Sequence, residues 1–103
     1  MTTIRRITGE LDRFNVDEVR APVDAAIKGG ETRVIFNLKG LKFIDSGGLS
    51  YLMDMRTRLP ALGGEFVISE PSQLFRSTVS ALKAEELFRI FPSDDEAQRY
   101  LGA

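Results

Sequence analysis

The run Asp45-Ser46-Gly47-Gly48 is the one constellation in this chain with chemical character. A hydroxyl follows a carboxylate, two glycines come next, and Leu49, Leu52, Met53 and Leu59 then set an apolar helical period. Ser46 fits two roles. It fits a helix N-cap, whose hydroxyl accepts from the amide of residue 48 or 49. It also fits a phosphoacceptor, since open amides and the dipole at a helix start receive phosphate. Gly47 and Gly48 would let backbone approach with no Cβ in the way. A phosphoryl group adds roughly -1.5 to -2 charges at one point. The fold would tolerate that charge, whereas a partner docked over the turn with acidic or apolar surface would not. Asp45 would add like-charge repulsion or orient the hydroxyl before transfer. Spacing alone leaves cap and phosphoacceptor both open.

Other chemistry finds little support. The sequence has no His and no Cys, which removes a Ser-His-Asp triad, a thiolate nucleophile and the commonest transition-metal ligands. No Lys follows Gly48 as a P-loop requires, and Ile44 stands where a nucleophile elbow needs Gly. Asp12 and Asp45 could share a divalent ion, but nothing nearby completes an oxygen cage. The Asp94-Asp95-Glu96 group reads as the acidic first turn of a helix capped by Ser93. The expectation is a protein that is not an enzyme and needs no cofactor or metal. A net charge of -1 gives no general pull on nucleic acid or anionic membrane. Arg5, Arg6, Arg56 and Arg58 read as solvated faces, and Phe75, Phe88 and Phe91 as core. No apolar run approaches the roughly 20 residues of a membrane span, and no apolar signal region opens the chain. A cytoplasmic location is the default expectation.

The elements that must position the turn follow from regular punctuation. At 103 residues the chain is one domain, 1–103, able to bury a core unaided. Ile4 to Thr8 predicts a strand, ended by a polar turn at Gly9-Glu10-Leu11-Asp12. Asn15 and Glu18 make a capping box, with Phe14 and Val19 as its hydrophobic staple. The helix they open is bent by Pro22 and ended by Gly29-Gly30. Arg33 to Leu38 predicts a strand buried on both faces, and Leu41, Phe43 and Ile44 continue inward. A second helix from the Ser46 turn stops at Pro60 and Gly63-Gly64. Phe66-Val67-Ile68 is a strand, Pro71 opens a third helix, Phe88 to Phe91 is a last strand, and a final helix runs to about Leu101. This alternation predicts an α/β fold with a mixed or mainly parallel sheet. The turns at Asp12 and Asp45-Ser46 then share one edge, where functional residues of open α/β sheets gather.

Three stretches carry a resemblance: Thr8-Gly9-Glu10-Leu11-Asp12, Val34 to Leu41 with Phe43-Ile44-Asp45-Ser46-Gly47-Gly48-Leu49, and Gly63-Gly64-Glu65-Phe66-Val67-Ile68. They match the T-G-E-L-D turn, the D-S-x-G-L turn and the approach to the third strand of the STAS-domain family. Within it the chain resembles the stand-alone anti-sigma factor antagonists of bacteria. The resemblance covers nearly the whole chain. It implies the STAS fold, a mainly parallel sheet of four to five strands with about four helices packed on it. It implies a partner that is an anti-sigma factor and a serine kinase of the histidine-kinase-like ATPase type. The unphosphorylated protein would sequester this partner, phosphorylation at Ser46 would release it, and a PP2C-type phosphatase would reset the switch. Asp45 would present the serine. Asp12, Gly47, Gly48 and Leu49 would lie with it at the partner-facing edge. Gly47 stands where the family commonly has Ser, Ala or Thr, a feature shared with STAS subunits of lipid-transport ABC systems. The alternative is therefore a constitutive accessory subunit of an ABC transporter or a signalling scaffold, with Ser46 only a cap.

Overall fold

The computed structural model describes residues 2–102. Residues 2–11 run parallel to residues 33–44 in two successive ladders. Strand β1 (Thr2–Arg6) pairs with β3 (Arg33–Asn37), and β2 (Gly9–Leu11) pairs with β4 (Leu41–Ile44). The Ile7 and Gly9 amides, donating to the Asn37 and Gly40 carbonyls, carry the pairing across the gap. Gly9 sits at φ 75°, where the register shifts. The polar turn expected from Gly9 is therefore a strand up to Leu11, and the turn begins at Asp12. Leu11 is fully buried, and burial of that one side chain outweighs the turn character of its neighbours. Strand β5 (Glu65–Ser69) lies on the other side of β3, and β6 (Ile90–Phe91) pairs with β5. The main sheet has the order β1-β3-β5-β6 with β2-β4 as a separate pair, and every described pairing is parallel.

Helices cover both faces of the sheet. Val34 and Phe36 of β3 and Phe66 and Ile68 of β5 face the larger core, with residues of α1 (Val16–Lys28), α2 (Ser46–Ala61) and α3 (Gln73–Ala81). The intervening Ile35 and Val67 face Ala97 and Leu101 of α4 (Asp94–Leu101). Strand alternation thus sends consecutive apolar residues into two cores, as the unbroken Val-Ile-Phe run implies. Phe36 meets Phe66 edge to face at 5.0 Å and Tyr51 at 5.9 Å. Burial pushes the Tyr51 hydroxyl up to about 12, so it stays neutral under the larger core. Leu41 is buried, but Phe43 is half exposed. The inward course expected for Phe43 fails: β4 belongs to a two-stranded pair with β2 alone, and Phe43 projects to solvent.

Several helix starts differ from the sequence expectation. Asn15 precedes α1 but makes no side-chain cap, and Phe14 is 80% exposed, so neither capping box nor staple forms there. The helix runs through Pro22 without a break. Pro71 lies outside α3, which Ser72 caps by accepting from the Phe75 amide at 3.2 Å. The stretch expected as strand from Phe88 pairs only from Ile90, after a 3₁₀ turn at Glu85–Leu87. Ser93 caps α4 as expected, accepting from the Glu96 amide at 3.1 Å.

A buried polar knot ties α4 to the C-terminal ends of β3 and β5. Asp94 Oδ1 accepts from Ser69 Oγ at 2.5 Å and from Asn37 Nδ2 at 3.0 Å. Asn37 Nδ2 also donates to Glu70 Oε2 at 2.9 Å. Asn37 and Ser69 are both buried, so loss of Asp94 leaves the Ser69 hydroxyl unsatisfied away from water and Asn37 Nδ2 with Glu70 alone. Asp94→Ala is expected to lower the unfolding free energy by about 2–4 kcal/mol, against a smaller loss for Asp94→Asn. Urea unfolding of the two variants checks this.

Candidate functional site

The first turn of the site is laced by its own side chains. Asp12 is buried, and its Oδ1 accepts from the Phe14 and Asn15 amides, both at 2.9 Å. Asn15 answers from the other end. Its Oδ1 accepts from the Asp12 amide at 2.9 Å, and its Nδ2 donates to the Glu10 carbonyl at 2.7 Å. This is an Asx-type turn, in which short polar side chains replace the ladder that ends at Leu11. It pushes Arg13 and Phe14 outward, both exposed. The Arg13 guanidinium lies 4.9 Å from the Phe14 ring centre.

The second turn hangs on Asp45. Its backbone is extended and its Oδ1 accepts from the Gly48 amide at 2.9 Å, so Asp45, not Ser46, is the N-cap of α2. Its Oδ2 accepts from the Arg13 amide at 3.2 Å. Its own amide reaches the Leu11 carbonyl at 3.4 Å, and its carbonyl accepts from Leu49. One carboxylate thus serves both turns, each through its own oxygen. Ser46 moves to the first helical position, exposed, with its hydroxyl outside the cap. Of the two roles left open for Ser46, the cap falls to Asp45 instead.

The two glycines serve the neighbouring turn. A Cβ at position 48 would overlap the Leu11 carbonyl, and one at position 47 would stand 2.8 Å from Arg13 Cβ. Gly48 is buried, and Leu49 is partly buried against the larger core. The amides of residues 48 and 49 are already spent on Asp45. The site residues Asp12, Asp45, Ser46, Gly47, Gly48 and Leu49 are therefore brought together, with Ser46 the most outward of them. Arg13 is the member the sequence reading passed over. The spacing Asp-x-x-Asn from Asp12 to Asn15 signals a laced turn whose two middle residues must project.

The chemistry available is that of an exposed hydroxyl beside an anion. The Gly48 amide holds the Asp45 carboxyl below the usual carboxylate range. Desolvation opposes it, and the Arg13 amide, the Gly47 amide and the Arg13 charge add to the lowering. Ser46 lines neither of two clefts of about 870 and 480 Å³. Among the described residues no three His, Cys, Asp or Glu side chains group as metal ligands, and no helix is long and apolar enough to cross a membrane.

Two outcomes follow from the joint. A carboxyl held low in the folded state stabilises above its unfolded value, 3.8, and that contribution is lost as pH falls through the folded value. The stability gap between the unsubstituted chain and Asp45→Asn should be full above about pH 5 and close in stronger acid, as read by urea midpoints across pH 2.5–7. Gly48→Ala should cost about 1–3 kcal/mol by overpacking, measured in the same assay at neutral pH.

Comparison with known proteins fits this geometry. The family model described as the STAS domain matches residues 2–97. An anti-sigma F factor antagonist of Lysinibacillus sphaericus is 38% identical over 76 residues, 73% of this chain and 65% of that protein. The chain thus matches slightly under two thirds of that relative's length. The anti-sigma F factor antagonist of Paenibacillus polymyxa is 31% identical over 93 residues, covering 89% of this chain and 77% of the relative. Among solved structures, the unphosphorylated form of the anti-sigma factor antagonist SpoIIAA superposes with a TM-score of 0.74 at 27% identity, over 99% of this chain and 90% of that one. The phosphorylated form of SpoIIAA, from Bacillus, superposes with a TM-score of 0.72 at 27% identity, over 96% and 89%. With the family model spanning residues 2–97, the chain belongs to the STAS domain family.

Proposed function

We propose that this protein is a phosphorylation-controlled antagonist of an anti-sigma factor. The observation that carries the reading is the division of labour at the second turn. Asp45 makes the cap and the joint, while the Ser46 hydroxyl is left exposed at the first helical position. A hydroxyl that served as the cap would be tied up in the fold, and one outside it is open to a kinase. The relatives named as anti-sigma F factor antagonists, and a similar protein solved in both unphosphorylated and phosphorylated forms, support the same reading.

In this reading the unphosphorylated chain binds and holds an anti-sigma factor that is a serine kinase of the histidine-kinase-like ATPase type, in the cytoplasm. The contact surface centres on the paired turns, with Asp45, Gly47, Gly48 and Leu49 shaping it and Asp12 fixing its neighbour. The γ-phosphoryl group of ATP passes to Ser46 Oγ. The O–P bond forms, ADP leaves, and the hydroxyl proton is released. The added charge arrives beside the Asp45 carboxylate, and the complex separates through like-charge repulsion and the cost of desolvating a dianion. A PP2C-type phosphatase restores the hydroxyl.

Intact mass after incubation with ATP and each candidate kinase of the host tests this directly. One added phosphate that disappears in Ser46→Ala is the expected result. Ser46→Asp should weaken binding to the same kinase by about 100-fold or more, roughly 2.7 kcal/mol, with Ser46→Ala binding as tightly as the unsubstituted chain. Full-affinity binding by Ser46→Asp sinks the switch. Absence of phosphate together with stable co-purification of an ATPase points instead to a constitutive subunit.

A further inference from the structure

We propose that Arg13 receives the phosphoryl group on Ser46, leaving the face of Phe14 to do so. The inference rests on the Ser46 reading above and names the residue that answers the new charge. The expected receivers, the amides at the start of α2, are largely engaged already. The Gly48 amide is bonded to the Asp45 carboxylate and the Leu49 amide to the Asp45 carbonyl. A dianion at Ser46 therefore needs another counter-charge.

The surrounding charge makes that need sharper. Asp45 adjoins Ser46, and Asp12 lies in the facing turn. Glu10 sits on β2, and Asp17 and Glu18 open α1. The nearest cations along these elements are Arg13 in the turn, Lys42 on β4 and Arg20 on α1, whose guanidinium lies over the Tyr51 ring. Arg13 is the one whose backbone meets the Ser46 turn. Its amide donates to Asp45 Oδ2 at 3.2 Å, and its Cα would stand 3.0 Å from a Cβ at position 47. A residue so close along the backbone has a side chain long enough to reach the serine.

The Arg13 guanidinium is also available. Among the described residues it enters no ion pair, and its contact is the Phe14 ring at 4.9 Å. Phe14 is 80% exposed, and a cation over an exposed ring is held more weakly than one in a charge-assisted bond to phosphate. Phosphorylation should therefore transfer Arg13 from ring to phosphate. Gly47 makes this possible here, because any side chain in its place would press on Arg13.

The test installs phosphoserine at position 46 by genetic encoding, so no kinase is required, and follows the phosphorus resonance against pH at low salt. The phosphate midpoint should rise by about half a pH unit in Arg13→Gln relative to the unsubstituted chain. Arg13→Lys should keep part of the lowering and Lys42→Gln nearly all of it. The Arg13 side chain is exposed and its amide survives substitution, so these variants keep the joint to Asp45. Phe14 ring proton shifts should change on phosphorylation in the unsubstituted chain and not in Arg13→Gln. Equal midpoints in the unsubstituted chain and Arg13→Gln overturn the inference. A Ser46 left untouched by every host kinase overturns the switch reading instead, whatever the titration gives.

Discussion

The carboxylate of Asp45 joins two turns that lie 32 residues apart in sequence. One oxygen closes the first turn of α2 and the other holds the Arg13 amide at the end of β2. A helix N-terminus needs an acceptor for its free amides and favours a negative one. A strand end needs partners for amides its ladder no longer serves. Both demands fall on the same side chain, so the position of each turn depends on the other. The tight fit of Gly47 and Gly48 against the β2 side follows from that shared anchor. With the cap supplied by its neighbour, Ser46 carries no structural duty that a modification would disturb.

The sheet holds this edge in place from behind. β3 lies between β1 and β5, and its side chains divide between the two cores. At its C-terminal end Asn37 joins Ser69, Glu70 and Asp94 in one polar knot. Glu70 adopts a φ of 46° at this point, a conformation non-glycine residues seldom take. The knot holds the end of β3 to β5 and α4, and β4 then runs along β2 to Ile44, where the Asp45 turn begins.

Much of the fold could be read from periodicity. The Val34-Ile35-Phe36 run, the glycine pairs closing the first two helices and the Ser93 cap are local signals. Each is decided within a few residues, where sequence patterns speak clearly. The misreadings share a different cause. Leu11 looked like part of a turn because a three-residue strand has no period to detect, and its burial depends on β4. Phe14 looked like half of a staple and Pro71 like a first helical residue because local motifs ignore what packs above them. At the site, the residues were legible by type. The second duty of Asp45, holding the Arg13 amide, was not, because that partner lies 32 residues away in sequence.

The parallel pairing also orders the assembly of the chain in time. No described strand pairs with a neighbour through a hairpin, so every ladder waits for chain made much later. Residues 2–11 emerge from a ribosome with no partner until residues 33–44 follow, a delay on the order of seconds at ordinary elongation rates. The second face of β3 stays bare longer still, until the eight residues of α4 arrive to cover Ile35 and Val67. Through that interval the nascent chain offers an unpaired strand edge and an uncovered apolar sheet face. A newly made copy is thus most exposed to aggregation before α4 docks, and docking of α4 is the event that closes its second apolar face.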